Sequence, residues 1–291
     1  MLSKGRPDCF SARTLLDMGY PGDVIIVCGN DDETIPEYVN NFGNDMVVVF
    51  DKREWWQKSD MMDAYGMTGA SGIAPVRNYI VQLARDMGYD RCWQFDDDMV
   101  EFRINHKDEG DSETITDGKT LFEKMDEVEQ FARKSGIPTV GFTASRRSWL
   151  DPCTVGRNVG SIHNTSTERP MPYRARIYED AVLTLDQLRR GSIQYNFRHL
   201  QAVPASDWYG GTLSKKSLGG GMKAQYDAIA GESKDIHDRK SIVAVNFAGY
   251  VTVAMPMARL LKVYGKGRCG GSYHEKQYRP ELIRDTWRRE G

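Results

Sequence analysis

The chain has 291 residues, 40% apolar and 27% charged, with a net charge of −2 at pH 7. That length suits one large α/β domain with an appended segment, and the composition excludes a stapled mini-protein and a disordered chain. No apolar run nears the roughly 20 residues that span a bilayer, no basic-then-apolar leader opens the chain, and the charge argues against a globally basic nucleic-acid binder while leaving local basic patches open.

The five cysteines, Cys9, Cys28, Cys92, Cys153 and Cys269, are scattered and form no C-x-x-C pair. They read as reduced thiols of a soluble, cytoplasmic protein, with neither a disulfide framework nor a zinc site. In chain order, residues 23–28 (Asp-Val-Ile-Ile-Val-Cys) predict a buried strand that ends in the turn Gly29-Asn30-Asp31-Asp32. Residues 46–50 (Met-Val-Val-Val-Phe) predict a second, closing at Asp51. Val76, Ile80, Leu83, Ala84 and Met87 recur at helical spacing over residues 75–87, and Gly88 closes that helix. Residues 91–95 (Arg-Cys-Trp-Gln-Phe) predict a strand that delivers Asp96, Asp97 and Asp98 at its carboxyl end.

Residues 105–118 are polar throughout and predict a surface loop. A helix follows near 121–134, then a strand at 139–143, and residues 148–176 read as a long irregular segment. A helix near 179–190 and strands near 194–197, 242–247 and 250–254 complete the alternation. The rhythm predicts a mostly parallel central sheet flanked by helices, with the ligand crevice beyond the carboxyl ends of the strands. With no repeat and no clear linker, a single domain is expected, its first half to about residue 104 binding nucleotide and its second, from about 105 to 291, binding acceptor.

Three successive carboxylates repel one another unless a cation or solvent screens them. Asp96 and Asp98, two apart in extended chain, share a face and can reach one hard cation, Mn²⁺ or Mg²⁺. The alternative is a solvated acidic turn. Ser3-Lys-Gly-Arg-Pro7, Ala74-Pro-Val-Arg-Asn78, Trp93-Gln-Phe-Asp-Asp-Asp98 and Tyr178-Glu-Asp-Ala181 occur in that order. This ordered set resembles the GT-A fold glycosyltransferases over roughly residues 1–200. Together with Gly219-Gly-Gly-Met222 and the Arg268…His274…Tyr278 tail, it is similar to the phage TET-associated glycosyltransferases.

The resemblance implies a Rossmann-like GT-A fold and transfer of a sugar from a nucleotide diphosphate donor, a UDP-sugar favoured, to a hydroxyl. The acceptor it implies is 5-hydroxymethylcytosine, or another hydroxymethylated pyrimidine, in phage DNA, which would place the enzyme in the host cytoplasm. It implies that Ser3, Lys4 and Arg6 hold nucleotide base and phosphate, that Asp51 bonds the nucleoside, and that Asp97, Gly220 and Gly221 approach the donor. Asp51 could instead close a strand-end turn. Arg77 could bind a phosphate, the acidic triplet, or a helix-surface partner. Asp96, Asp98 and His274 are the implied metal ligands, with His163 and His237 as lesser candidates. Glu179 and Asp180 open a helix and could cap it; as a general base, Asp180 is favoured.

For a DNA backbone, Arg146, Arg147, Arg157, Arg169, Arg174 and Arg176, interleaved with Trp149 and Tyr173, offer phosphate contacts and stacking. Transfer to a protein, glycan or small molecule, a nucleotidyltransferase, and a non-catalytic DNA-binding module are the other readings.

Overall fold

The computed structural model describes residues 1–61, 72–106, 112–143, 153–155, 159, 161–174, 179–190, 192, 194–205, 243–245 and 251–253. Its elements in chain order are α1 (Phe10–Asp17), β1 (Ile26–Gly29), α2 (Ile35–Phe42), β2 (Val47–Phe50), α3 (Lys52–Lys58), α4 (Ala74–Asp86), β3 (Arg91–Phe95), β4 (Met99–Asn105) and β5 (Ser112–Thr114). There follow α5 (Gly118–Ser135), β6 (Thr139–Thr143), β7 (Cys153–Val155), β8 (Ile162–Ser166), α6 (Glu179–Arg189), β9 (Tyr195–Pro204), β10 (Val243–Val245) and β11 (Val251–Val253).

The fold is mixed α/β, with a central multi-stranded sheet flanked by helices. The expectation of a mostly parallel sheet is corrected. β1 and β2 pair in parallel, but in the larger sheet, of order β3-β8-β6-β9-β4-β5 with β7 on β9, β6–β9 is the parallel pair and the other described pairs are antiparallel. Part of the reason lies in β8. Residues 162–166 (Ile-His-Asn-Thr-Ser) are polar by sequence and fell within the expected irregular segment, yet every one is buried. The strand is inserted antiparallel between β3 and β6, so those two cannot be direct neighbours.

A buried polar strand survives only where its side chains find partners. Asn164 accepts from Arg91 Nε and donates to Glu129 Oε2 at 2.8 Å, and Arg91 also donates to the carbonyls of Ile137 and Pro138, each at 3.2 Å. His163 Nε2 meets the Tyr173 hydroxyl.

Alternation along β1 divides its side chains between two layers. Ile26 and Cys28 join the cluster built with Leu15 of α1, Tyr38 of α2 and Leu121, Met125, Val128 and Ala132 of α5. Val27 joins Leu2, Phe50 and Ile80 on the other face, with Val76, Tyr79 and Leu83 of α4 packed against them. Leu2 ties the two sheets together: it pairs in parallel with Val27, and its N–H donates to Phe95 O at 3.2 Å.

Gly118 opens α5 where that helix crosses the turn after α1, its N–H donating to Met18 O at 2.7 Å. A Cβ there would lie 2.3 Å from the backbone nitrogen of Tyr20. Gly118→Ala should therefore destabilise by about 1–3 kcal/mol, read as a lower Tm in thermal unfolding. Lys119→Ala, at an exposed neighbour, should stay within about 0.5 kcal/mol of the parent.

Candidate active site

The acidic run leaves the carboxyl end of β3 and turns at once into β4. Backbone bonds fix the turn: Asp96 N–H donates to Ser161 O at 2.9 Å, Ser11 N–H to Asp97 O at 3.2 Å, and Ala205 N–H to Asp98 O at 2.7 Å. The Ser11 hydroxyl donates to Asp96 O at 2.5 Å and accepts from Met99 N–H at 2.8 Å. With the backbone held on every side, the three carboxylates are sent in different directions.

Asp97 points inward. Its two oxygens take the Ser3 hydroxyl at 2.6 Å and Arg6 Nη1 at 2.9 Å. Burial pushes its carboxyl up to about 6, against the opposing pull of Arg6 and Ser3. Asp97 therefore anchors the Ser3–Arg6 loop; a half-exposed Arg6 guanidinium is left at the crevice. Tyr38 completes the anchor, its hydroxyl 2.6 Å from Ser3 Oγ and accepting from Arg6 N–H at 3.0 Å. Asp32 takes Gly5 N–H at 2.8 Å.

Asp96 Oδ1 accepts from Arg77 Nη2 at 3.0 Å, and Arg77 Nε donates to Glu179 Oε1 at 3.3 Å. Arg77 is buried on α4, with Tyr173 beneath its guanidinium and Nη1 without a hydrogen-bond partner. Burial alone would lower its pKa; Asp96 and Glu179 hold it above the usual range. Glu179 is buried at the start of α6, where burial first and the neighbouring Asp180 second push its carboxyl up to about 7 in spite of Arg77. One arginine thus joins the tip of β3 to the start of α6.

Asp98 differs from both. Its Oδ1 is buried and has no hydrogen-bond partner among the described residues, and burial with the Asp96 charge raises its pKa. An acceptor left in that state is costly unless a cation or donor meets it. Among the described residues no group of three or more histidines, cysteines or carboxylates could hold a metal ion. His274, His237, Gly220 and Gly221 lie outside the described residues.

At the ends of β1 and β2, Lys4 Nζ and Lys52 Nζ both donate to Asp31 Oδ2, at 2.6 and 2.7 Å. Burial lowers the buried Lys52, whereas these two bonds outweigh burial at Asp31 and hold its carboxyl below the usual range. Lys52, Asp31, Asp32 and Tyr38 had no assigned role in the sequence reading. For Lys52, Asp31 and Asp32 the one signal was position, at or just past the carboxyl ends of two apolar strands; Tyr38, inside α2, gave none. Asp51 is the N-cap of α3, accepting from Glu54 N–H at 2.9 Å.

Three expectations change. Tyr173 is 1% exposed and bonded to His163, so it offers no stacking surface, and His163 spends Nε2 on that bond. Arg174 is held by Asp60 at 2.7 Å and Asp186 at 3.1 Å. Arg169 remains exposed, while Arg146, Arg147, Trp149, Arg157 and Arg176 lie outside the described residues.

The family profile of the TET-Associated Glycosyltransferases matches residues 1–206, a span that contains every described site residue. The chain belongs to that family. As a TET-Associated Glycosyltransferase it is a sugar-transferring enzyme, which goes against the nucleotidyltransferase reading. No curated protein and no solved structure matches the chain. Among the described residues no helix is long and apolar enough to cross a membrane.

Two outcomes follow from the Arg77 bridge. Arg77→Met leaves the part-exposed Asp96 and the buried Glu179 without their shared guanidinium and should cost about 3–5 kcal/mol, measured by denaturant unfolding. Glu179 keeps its proton in the folded state up to about 7 but releases it near 4.5 when unfolded. Its contribution is therefore full below about 4.5 and is lost as pH rises to about 7. Glu179→Gln should flatten the fall in stability across that window, measured without added divalent ions.

Proposed function

We propose that this glycosyltransferase is metal-dependent and moves a sugar from a nucleotide diphosphate donor, a UDP-sugar favoured, to the hydroxymethyl group of 5-hydroxymethylcytosine in DNA. The observation that carries the metal reading is Asp98 Oδ1, a buried carboxylate oxygen without a donor, two residues from the part-exposed Asp96. These hard oxygen ligands fit Mn²⁺ or Mg²⁺. Asp98 and Asp96 would hold the ion, with His274 as a third ligand. When bound, the ion supplies charge neutralisation for the departing diphosphate.

The chain's own residues perform the rest. Asp97 fixes the Ser3–Arg6 loop, so that Arg6 presents a preoriented cation to donor phosphate. Lys4 and Lys52, braced by Asp31, put two ammonium groups at the strand ends where the nucleoside would lie. Arg77 fixes Asp96 and Glu179 together. Asp180, next to Glu179 at the start of α6, takes the proton from the acceptor hydroxyl as that oxygen attacks the anomeric carbon. A carboxylate can serve as the base, because the alcohol becomes acidic only as the new bond forms.

The DNA acceptor is supported by the family's resemblance to enzymes of modified phage DNA and by the arginines at 146, 147, 157 and 169. A base in duplex DNA would have to leave the stack to reach the Asp96–Asp98 crevice.

Mass spectrometry of hydroxymethylated and unmodified DNA, after incubation with enzyme, Mn²⁺ and mixed nucleotide sugars, tests the assignment. A hexose-sized gain on the modified DNA alone is expected; a gain on neither would remove DNA as acceptor. Asp98→Asn should abolish transfer with little loss of Tm, since Oδ1 meets no hydrogen-bond donor among the described residues. Asp180→Asn should lower kcat by about 10²- to 10⁴-fold and leave donor binding, followed by calorimetry, unchanged.

A further inference from the structure

Tyr173 lies between β8 and α6 in a stretch without regular secondary structure, yet its side chain is fully buried. An irregular stretch has no ladder to fix it, so its backbone groups must be held by side chains. Asn78, at the end of the Ala74–Asn78 motif, holds them. Its Oδ1 accepts from Tyr173 N–H at 2.7 Å and its Nδ2 donates to Tyr173 O at 2.9 Å, the double exchange by which a neighbouring strand grips one residue. Nδ2 also donates to Ser59 Oγ at 3.0 Å. Turned end for end, the amide would set donor against donor and acceptor against acceptor, so these bonds fix its orientation.

The residue before Asn78 on α4 rests on the same tyrosine: the guanidinium carbon of Arg77 lies over the Tyr173 ring, 5.6 Å from its centroid. The Arg77 bonds to Asp96 and Glu179 leave from Nη2 and Nε, which share one edge of the guanidinium. Two bonds along one edge act as a hinge about which the plane can tilt. A contact on the face stops that tilt. The tyrosine ring is such a contact, and its π face attracts the cation as well.

The ring is itself held at its far end, where the hydroxyl meets Nε2 of His163 on β8. Its apolar surroundings are a small buried cluster that includes Ala74 of α4 and Leu183 of α6. Ala74 lies one turn before Asn78, and Leu183 one turn after Glu179. The cluster is thus drawn from the two helices that the Arg77 bridge joins.

We propose that Tyr173 is a positioning residue for sugar transfer, with Asn78 as its clamp: the ring sets the plane of the Arg77 guanidinium and, through it, the aim of the Asp96 and Glu179 carboxylates. This rests on the placement of both carboxylates in the active site proposed above. Adjacent residues of one helix divide the work, Asn78 gripping the backbone of Tyr173 and Arg77 lying on its ring.

The test uses the full chain with Tyr173→Leu, which removes the ring, Tyr173→Phe, which keeps it, and Asn78→Ser, which removes the clamp and is the milder change should the leucine variant fail to fold. In protein labelled with ¹⁵N-arginine, the Arg77 Nε–Hε resonance is the peak missing from Arg77→Lys. In the parent it carries the upfield ring-current shift of a group over an aromatic face; Tyr173→Leu should lose that shift, Asn78→Ser should reduce it, and Tyr173→Phe should keep it. With UDP-glucose, Mn²⁺ and hydroxymethylated DNA, kcat for UDP release should fall about 10²-fold in Tyr173→Leu and less in Asn78→Ser, with donor Kd moving far less than kcat. Tyr173→Phe should restore most of the loss. An Arg77 resonance unmoved in both Tyr173→Leu and Asn78→Ser, or equal losses of kcat in the leucine and phenylalanine variants, would overturn the proposal. So would a shifted resonance with parental kcat; parental kcat in Arg77→Lys as well would trace that outcome to the reading of the site.

Discussion

The bridge that Arg77 makes between Asp96 and Glu179 is the interaction on which the site geometry depends. Asp96 belongs to the tip of β3 and Glu179 to the start of α6, two elements 83 residues apart in sequence, and one buried guanidinium sets their separation. Such a bridge is a poor source of stability, because desolvating the groups it joins costs about as much as their attraction returns. An unpartnered Nη1 adds a further cost of roughly 1–3 kcal/mol. A purely structural contact would be better served by packed apolar side chains. The value of this one is position, since it holds the proposed metal-side carboxylate and the proposed base helix in one frame.

The same logic separates three adjacent aspartates that look alike in sequence. Asp97 is satisfied by Ser3 and Arg6 and acts as an anchor; Asp96 is shared with Arg77; Asp98 keeps a buried oxygen that nothing in the described protein meets. Their differing partners follow from a backbone pinned by Ser11, Ser161 and Ala205. At the neighbouring strand ends, Asp31 braces two lysines in the same manner.

Much of this was legible in the sequence where apolar periodicity was strong. The strands at 91–95 and 139–143 coincide with β3 and β6, and the expected helix at 75–87 is α4 within one residue. α1, α2 and α3 went unassigned because each is eight residues or fewer, too short for periodicity to register. β8 was unreadable for a different reason: Asn164 and His163 are buried through partners on α5 and beyond β8, Glu129 and Tyr173, and long-range pairing leaves no trace in local pattern. That omission, with the unassigned β4, β5 and β7, produced the wrong sheet, since without them the alternation reads as parallel. In the site, the order of Ser3–Arg6, Arg77, Asp96–Asp98 and Glu179 along the chain matches residues that the fold gathers. The choice of Asp97 as the inward member, and the inward turn of Tyr173 away from solvent, depended on packing that spacing does not encode.

The most direct measurement is an anomalous-difference map, at the manganese edge, of crystals grown with Mn²⁺ and a nucleoside diphosphate. The expected result is a peak within about 2.0–2.6 Å of a carboxylate oxygen of Asp98, with Arg77 still bridging Asp96 and Glu179. A manganese ion bound elsewhere, with Asp98 still unpartnered and the diphosphate remote from β3, would contradict the division of roles among the three aspartates.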